Sequence, residues 1–152
     1  MLIRTHLSIT LFFILVFISN VEHKFVFVLV ALFATFIPDI DSKFSIIGKR
    51  KIFRILQFFI KHRGIVHSFT FLMMLTFIFA LFFPILALPF FLGYGLHLFA
   101  DSFTIEGIKP FYPYKKISSW KIKTGGKSEI FVFVFFLIVD LGLIIAKFFS
   151  IF

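Results

Sequence analysis

His97 and Asp101 stand four residues apart in GYGLHLFADSFTIEGIKPFYP. That spacing puts an imidazole and a carboxylate on one face of a helix, where both can reach a single cation. Three other short stretches carry the same kind of side chain. HRGIVHS places His62, Arg63 and His67 at the edge of a long apolar run; PDID carries Asp39 and Asp41; Glu129 opens the last apolar stretch, and His6 stands near the start. The chain has no cysteine, so any metal must be held by imidazole nitrogen and carboxylate oxygen.

Each stretch has a plainer explanation on its own. A histidine near a helix end is commonly a structural hydrogen bonder, PDID reads as a solvated turn, and Arg63 can snorkel to the headgroups. Glu129 can simply favour the positive end of a helix dipole. Together the eight nitrogen and oxygen donors exceed the three or four that one zinc takes, which points to two metals or to one metal with supporting residues. The expected ligands are His6, Asp39, Asp41, His62, His67, His97 and Asp101. A divalent cation held there lowers the pKa of bound water, and zinc is the first expectation, manganese the second. Glu129, or a spare carboxylate such as Asp41, would act as general base, and Arg63 would clamp a phosphate or a developing negative charge. Ser68 reads as a support for the ligands, since nothing in its surroundings marks an activated nucleophile.

Such residues need elements to hold them, and the composition says which. Of 152 residues, 61% are hydrophobic and 15% charged, against about 45–50% and about 25% in soluble domains. Five apolar segments stand out, at 7–19, 25–37, 65–83, 85–103 and 130–149. The expected fold is an all-α integral membrane protein, a single domain over 1–152, with about five transmembrane or membrane-embedded helices. The first two segments are short enough to be tilted spans or a re-entrant hairpin. Arg4 and the apolar stretch after it imitate a secretory signal, but no small-x-small cleavage site follows, so a retained segment is expected. Pro84 predicts a tight turn between the third and fourth segments. Arg50, Arg54, Gln57 and Lys61 form a polar stripe on a helix over 44–61, otherwise apolar, which predicts an interfacial amphipathic helix.

Alternating segments gather 14 of the 16 Lys and Arg on one face, all but Lys24 and Lys147. The positive-inside rule makes that face cytoplasmic, together with the N-terminus and all eight metal-type residues. The net charge of +9 is then topology and attraction to anionic lipids in the bilayer, and no nucleic-acid partner is expected. Asp140, deep in the last segment, reads as an interhelical hydrogen bonder to Tyr94, outside the site.

PDID, the following Gly-Lys-Arg, HRGIVHS and GYGLHLFADSFTIEGIKPFYP together resemble the DUF457 family. This is the YdjM-like group of LexA-regulated inner-membrane proteins predicted to be metal-dependent hydrolases. The resemblance runs from His6 to Glu129 in the family's order and spacing. HRG-x-x-HS is its most specific piece, and H-x-x-x-D followed by Thr, Gly and Pro is the second. It carries the family pattern onto His6, Asp39, Asp41, His62, Arg63, His67, Ser68, His97, Asp101 and Glu129. The resemblance implies a metal-dependent hydrolase, and the basic cytoplasmic face makes an anionic small-molecule or lipid-linked substrate, a phosphoester, the natural expectation. The alternative is a metal-binding membrane protein without turnover, or a transporter component.

Overall fold

The computed structural model describes residues 1–41 and 64–149, and its regular elements are helical. Among the described residues there are five α-helices: α1 (Ile3–Phe17), α2 (Lys24–Phe36), α3 (Phe69–Phe82), α4 (Pro84–Ser102) and α5 (Lys127–Phe149). Short 3₁₀ turns, Ile18–Asn20 and Pro38–Asp41, follow α1 and α2. The amphipathic helix expected over 44–61 lies outside the described residues.

Length separates the five helices into two classes. Ile3–Asn20, Pro84–Ser102 and Lys127–Phe149, of 18, 19 and 23 residues, are long and apolar enough to cross a membrane. The other two, α2 and α3, have 13 and 14 residues. At 1.5 Å per residue these reach roughly 20 Å, short of the roughly 30 Å hydrocarbon core. The described chain therefore has three candidate spans and two shorter apolar helices packed among them.

The boundaries follow local chemistry. Pro84 occupies the first turn of α4, where its missing N–H costs nothing, and Phe83 alone joins it to α3 (φ −143°, ψ 66°). Ser68 caps α3 by accepting from Phe71 N at 3.2 Å, so the helix starts at Phe69 and leaves His67 in the turn before it. The first helix begins at Ile3, four residues ahead of the expected segment, and carries His6 within it.

The core is narrow because lipid takes the place of a second layer. One cluster joins Leu72, Phe90, Tyr94 and Leu98 across α3 and α4, with Val66 and Ile108 from the loops. A second joins Ile14 of α1 to Phe27 and Ala31 of α2. The phenylalanines mostly point outward; Phe25, Phe33, Phe77, Phe131 and Phe149 are all well exposed, as suits a surface facing acyl chains. Helix α5 packs on α1, with Phe12 against Phe136 and Lys147 donating to Ser19 at 2.8 Å.

The tightest contact lies between α2 and α4. A Cβ on Gly93 would stand 2.0 Å from the carbonyl oxygen of Ala31, so the two backbones meet only because position 93 has no side chain. Small residues at helix contacts are the usual solution in lipid, where close packing replaces the hydrophobic drive. Gly93→Ala should therefore force α2 from α4 and destabilise the fold by about 3 kcal/mol. Gly142, on the open face of α5 with nothing within 4 Å, should tolerate alanine and gain stability. Thermal melts of the two variants in detergent check the contrast, and equal melting would refute the close contact.

Candidate metal centre

Five of the expected ligands meet at one end of the helices. Two groups of three have ligand atoms all within 4.8 Å of one another: His6, His97 and Asp101, and Asp39, His67 and His97. His97 belongs to both. Its Nε2 lies 3.9 Å from Asp39 Oδ1 and 3.9 Å from Asp101 Oδ2, and His67 Nε2 lies 4.0 Å from Asp101 Oδ2. On the far side of Asp101, His6 Nε2 is 3.3 Å from Oδ1. The rings of His6 and His97 stack with centroids 3.8 Å apart.

The elements explain the convergence. Chain direction alternates, so α1, α3 and α5 begin where α2 and α4 end. His6 rides the first turns of α1 and His67 precedes α3; Asp39 follows α2, and His97 and Asp101 occupy the last turns of α4. On α4 the buried face runs through Phe90, Tyr94, His97, Leu98 and Asp101, so one helical stripe passes from apolar core to polar centre.

The ring of His97 is fixed from behind. Its Nδ1 lies 2.7 Å from the carbonyl oxygen of Thr35. A carbonyl only accepts, so Nδ1 carries the proton and Nε2 keeps its lone pair for the centre. Thr35 sits in the last turn of α2, where carbonyls have no partner along the helix. The Thr35 hydroxyl donates to Ala31 O at 2.9 Å and pairs with Thr10 at 2.9 Å, which ties α1, α2 and α4 together beside the histidine. Thr10 and Thr35 did not register as site residues in the sequence; their signal was a hydroxyl buried in an otherwise apolar helix.

The donor set fits a cation. His97 Nε2 and His6 Nδ1 are buried without a hydrogen-bond partner, a costly state unless something else binds them. A tetrahedral zinc with nitrogen and oxygen ligands sets neighbouring donors roughly 3.3–3.5 Å apart, close to the 3.3–4.0 Å separations found here. Asp39 is the most open member, with 20% of its side chain exposed against 4% or less for the others. Burial raises its pKa above the ordinary carboxylate value; His6 and His67 pull it down, and Asp101 pushes it up.

The remaining expectations divide. His62 and Arg63 lie outside the described residues, as does the side chain of Asp41, whose backbone closes the turn after α2. Glu129 stands apart from both ligand groups. It accepts from Leu2 N at 2.5 Å, Thr5 Oγ1 at 2.9 Å and Gly125 N at 2.6 Å, so its oxygens hold the start of α1 against the start of α5. These three bonds give it a tethering place between α1 and α5, away from the two ligand groups. Asp140 does not reach Tyr94; the tyrosine hydroxyl donates to Val66 O at 2.5 Å, while both Asp140 oxygens are buried without a hydrogen bond. Ser68 donates to Ile65 O at 2.6 Å while capping α3, and so shapes the turn that presents His67.

Three helices of membrane-spanning length, with a buried histidine and aspartate cluster at one end, define a membrane protein with a group of side chains that could hold a metal. The particular family follows from the sequence as a whole: the chain belongs to the YdjM inner membrane protein family, whose model matches residues 1–151. No curated protein and no solved structure matches the chain.

A carboxyl that holds its proton more tightly folded than unfolded subtracts stability as pH rises from the ordinary carboxylate range through its raised value. Metal-free protein should lose stability over that window because of Asp39. Asp39→Asn should abolish that loss and melt higher than wild type at neutral pH in chelator, while weakening metal binding. Melting curves across pH decide it; a variant that melts lower throughout would contradict the assignment.

Proposed function

We propose that this protein is a membrane-bound, metal-dependent hydrolase whose centre faces the cytoplasm and acts on a phosphoester, soluble or lipid-linked. The observation that carries this reading is the pair of ligand groups sharing His97, whose Nε2 is buried and unbonded at their junction. His67, His97, Asp39 and Asp101 would hold one divalent ion, zinc ahead of manganese, and His6 would reach it or a second ion through Asp101. When bound, the ion supplies Lewis-acid polarisation and an acidified water.

The protein's own residues supply the rest. Thr35 fixes the His97 tautomer, so the lone pair is aimed before any ligand arrives. Asp39, the most open carboxyl, is placed to take or return a proton at its Oδ atoms. Arg63, next to the turn that carries His67 in sequence, is the group chemically suited to clamp an anionic oxygen. Orientation rests on charge: by sequence order 14 of the 16 Lys and Arg belong to one face, and those among the described residues, Arg4, Lys109, Lys115, Lys116, Lys121, Lys123 and Lys127, stand toward the end of the helices where the centre lies, a face the positive-inside rule assigns to the cytoplasm. The same charges favour anionic lipids there.

One observation favours a second reading, a metal-binding membrane protein without turnover. His6, His67, His97 and Asp101 are all 3% exposed or less, and of the five converging residues Asp39 alone is partly open.

Phosphate release from soluble and lipid-linked phosphoesters by metal-loaded protein separates the two. Turnover that falls at least about 100-fold in His67→Ala and on chelation supports the hydrolase. Metal-loaded, folded protein that turns over no phosphoester of either kind would leave the second reading in its place.

A further inference from the structure

Between α4 and α5 the chain builds a compact loop, residues 103–126, whose surface is unusual for a segment outside the helices. Its ten central residues, 111–120, are all exposed, yet they include Phe111 at 66%, Tyr114 at 77%, Ile117 at 55% and Trp120 at 65%. Lys115, Lys116, Lys121 and Lys123 stand among them, also exposed, and Glu106 is the loop's one acid.

These apolar side chains are held outward by a braced backbone. Ile108 is buried in the core beside Val66 and Leu72. Ile108 and Ser118 exchange two backbone hydrogen bonds, Trp120 N donates to Thr104 O, and Ile122 N donates to Phe103 O. Gly107 adopts φ 60°, and a Cβ there would lie 2.2 Å from Ser118 O, so the crossing needs glycine. Phe69 N donates to Pro110 O at 2.8 Å, which fastens the loop to the start of α3. A tip fixed in this way cannot fold back over its own aromatics, and a large exposed apolar patch marks a contact surface.

Position and charge name the contact. The loop leaves α4 at Ser102 and rejoins at Lys127, the ends of two candidate spans, so it lies where hydrocarbon gives way to headgroups. Tryptophan and tyrosine concentrate at that depth, with an apolar ring inward and a polar edge in the headgroups, and lysines beside them meet lipid phosphates.

We infer that the 103–126 loop is an interfacial foot, seating its Phe111–Trp120 tip among anionic headgroups of the leaflet on the metal centre's side. The inference rests on membrane placement and stands whether or not the centre binds metal. Through Thr104, whose hydroxyl donates to Asp101 O at 2.7 Å, the foot is one residue contact from the centre.

The chain has one tryptophan, so Trp120 reports on the tip directly. Full-length protein is reconstituted into vesicles of phosphatidylcholine with or without phosphatidylglycerol. The lipids carry a quencher either near the headgroup or near the chain end. The foot predicts blue-shifted emission and roughly twofold stronger quenching from the shallow label, increased by phosphatidylglycerol. Lys115→Glu with Lys116→Glu should remove that increase while the melting temperature stays that of wild type. Water-like emission that neither label quenches overturns the inference. So does blue-shifted emission without lipid quenching in a dimeric sample, which would mean a second copy covers the tip. Equal quenching in the two lipid compositions overturns its anionic part.

Discussion

One hydrogen bond, 2.7 Å between His97 Nδ1 and the Thr35 carbonyl, decides how the polar end of this molecule is organised. It leaves the opposite nitrogen of His97 as a lone pair aimed at Asp39 and Asp101. It requires α2 to end where it does, since only a last-turn carbonyl is free to accept. It also requires α2 and α4 to touch, which the missing side chain at Gly93 permits. A change that lengthens α2, or that separates the two helices, moves the histidine shared by both ligand groups.

The surrounding residues distribute that constraint over the whole helical end. Asp101 is the junction: His6 approaches one oxygen, His67 and His97 the other, and the Met1 main-chain nitrogen contacts it as well. Behind it, Thr104 joins the Asp101 carbonyl to Gly107 N, and Pro110 O receives Phe69 N. The Thr, Gly and Pro that follow H-x-x-x-D are thus structural neighbours of the centre, fixing where α4 stops and where the turn bearing His67 stands. Glu129 does the equivalent for α1 and α5 with three accepted hydrogen bonds. Buried polar groups next to lipid are tolerable when every one is bonded. Asp140, deep in α5, and the unbonded nitrogens of His6 and His97 depart from this rule, and at the polar end of the helices the two histidines are where a ligand would restore it.

Much of this could be read from residue order. Alternating apolar segments put His6, Asp39, His67, His97 and Asp101 at one end, and the i, i+4 spacing put His97 and Asp101 on one stripe; the five do converge. Pro84 marked its turn correctly. Hydropathy was weaker on lengths, because an apolar run shows what avoids water without showing whether it crosses a bilayer; α2 and α3 are too short. It also started α1 too late, since Thr5 and His6 look like a polar flank until their partners across the fold are known. Partners of lone polar residues were not legible at all. Asp140 and Tyr94 looked complementary in type, yet Tyr94 binds the Val66 carbonyl. Glu129 reads from the sequence as a carboxylate at a helix start, and its three donors, from Leu2, Thr5 and Gly125, show only in the fold.

The most direct test of the account is the metal content of detergent-purified protein, by elemental analysis, beside a folded His97→Ala variant. One or two equivalents of zinc or manganese in wild type, lost in the variant, is the result the shared-histidine geometry predicts. Equal metal in both, or none in wild type after reconstitution with either ion, would contradict it and leave these residues as a polar clasp between helices.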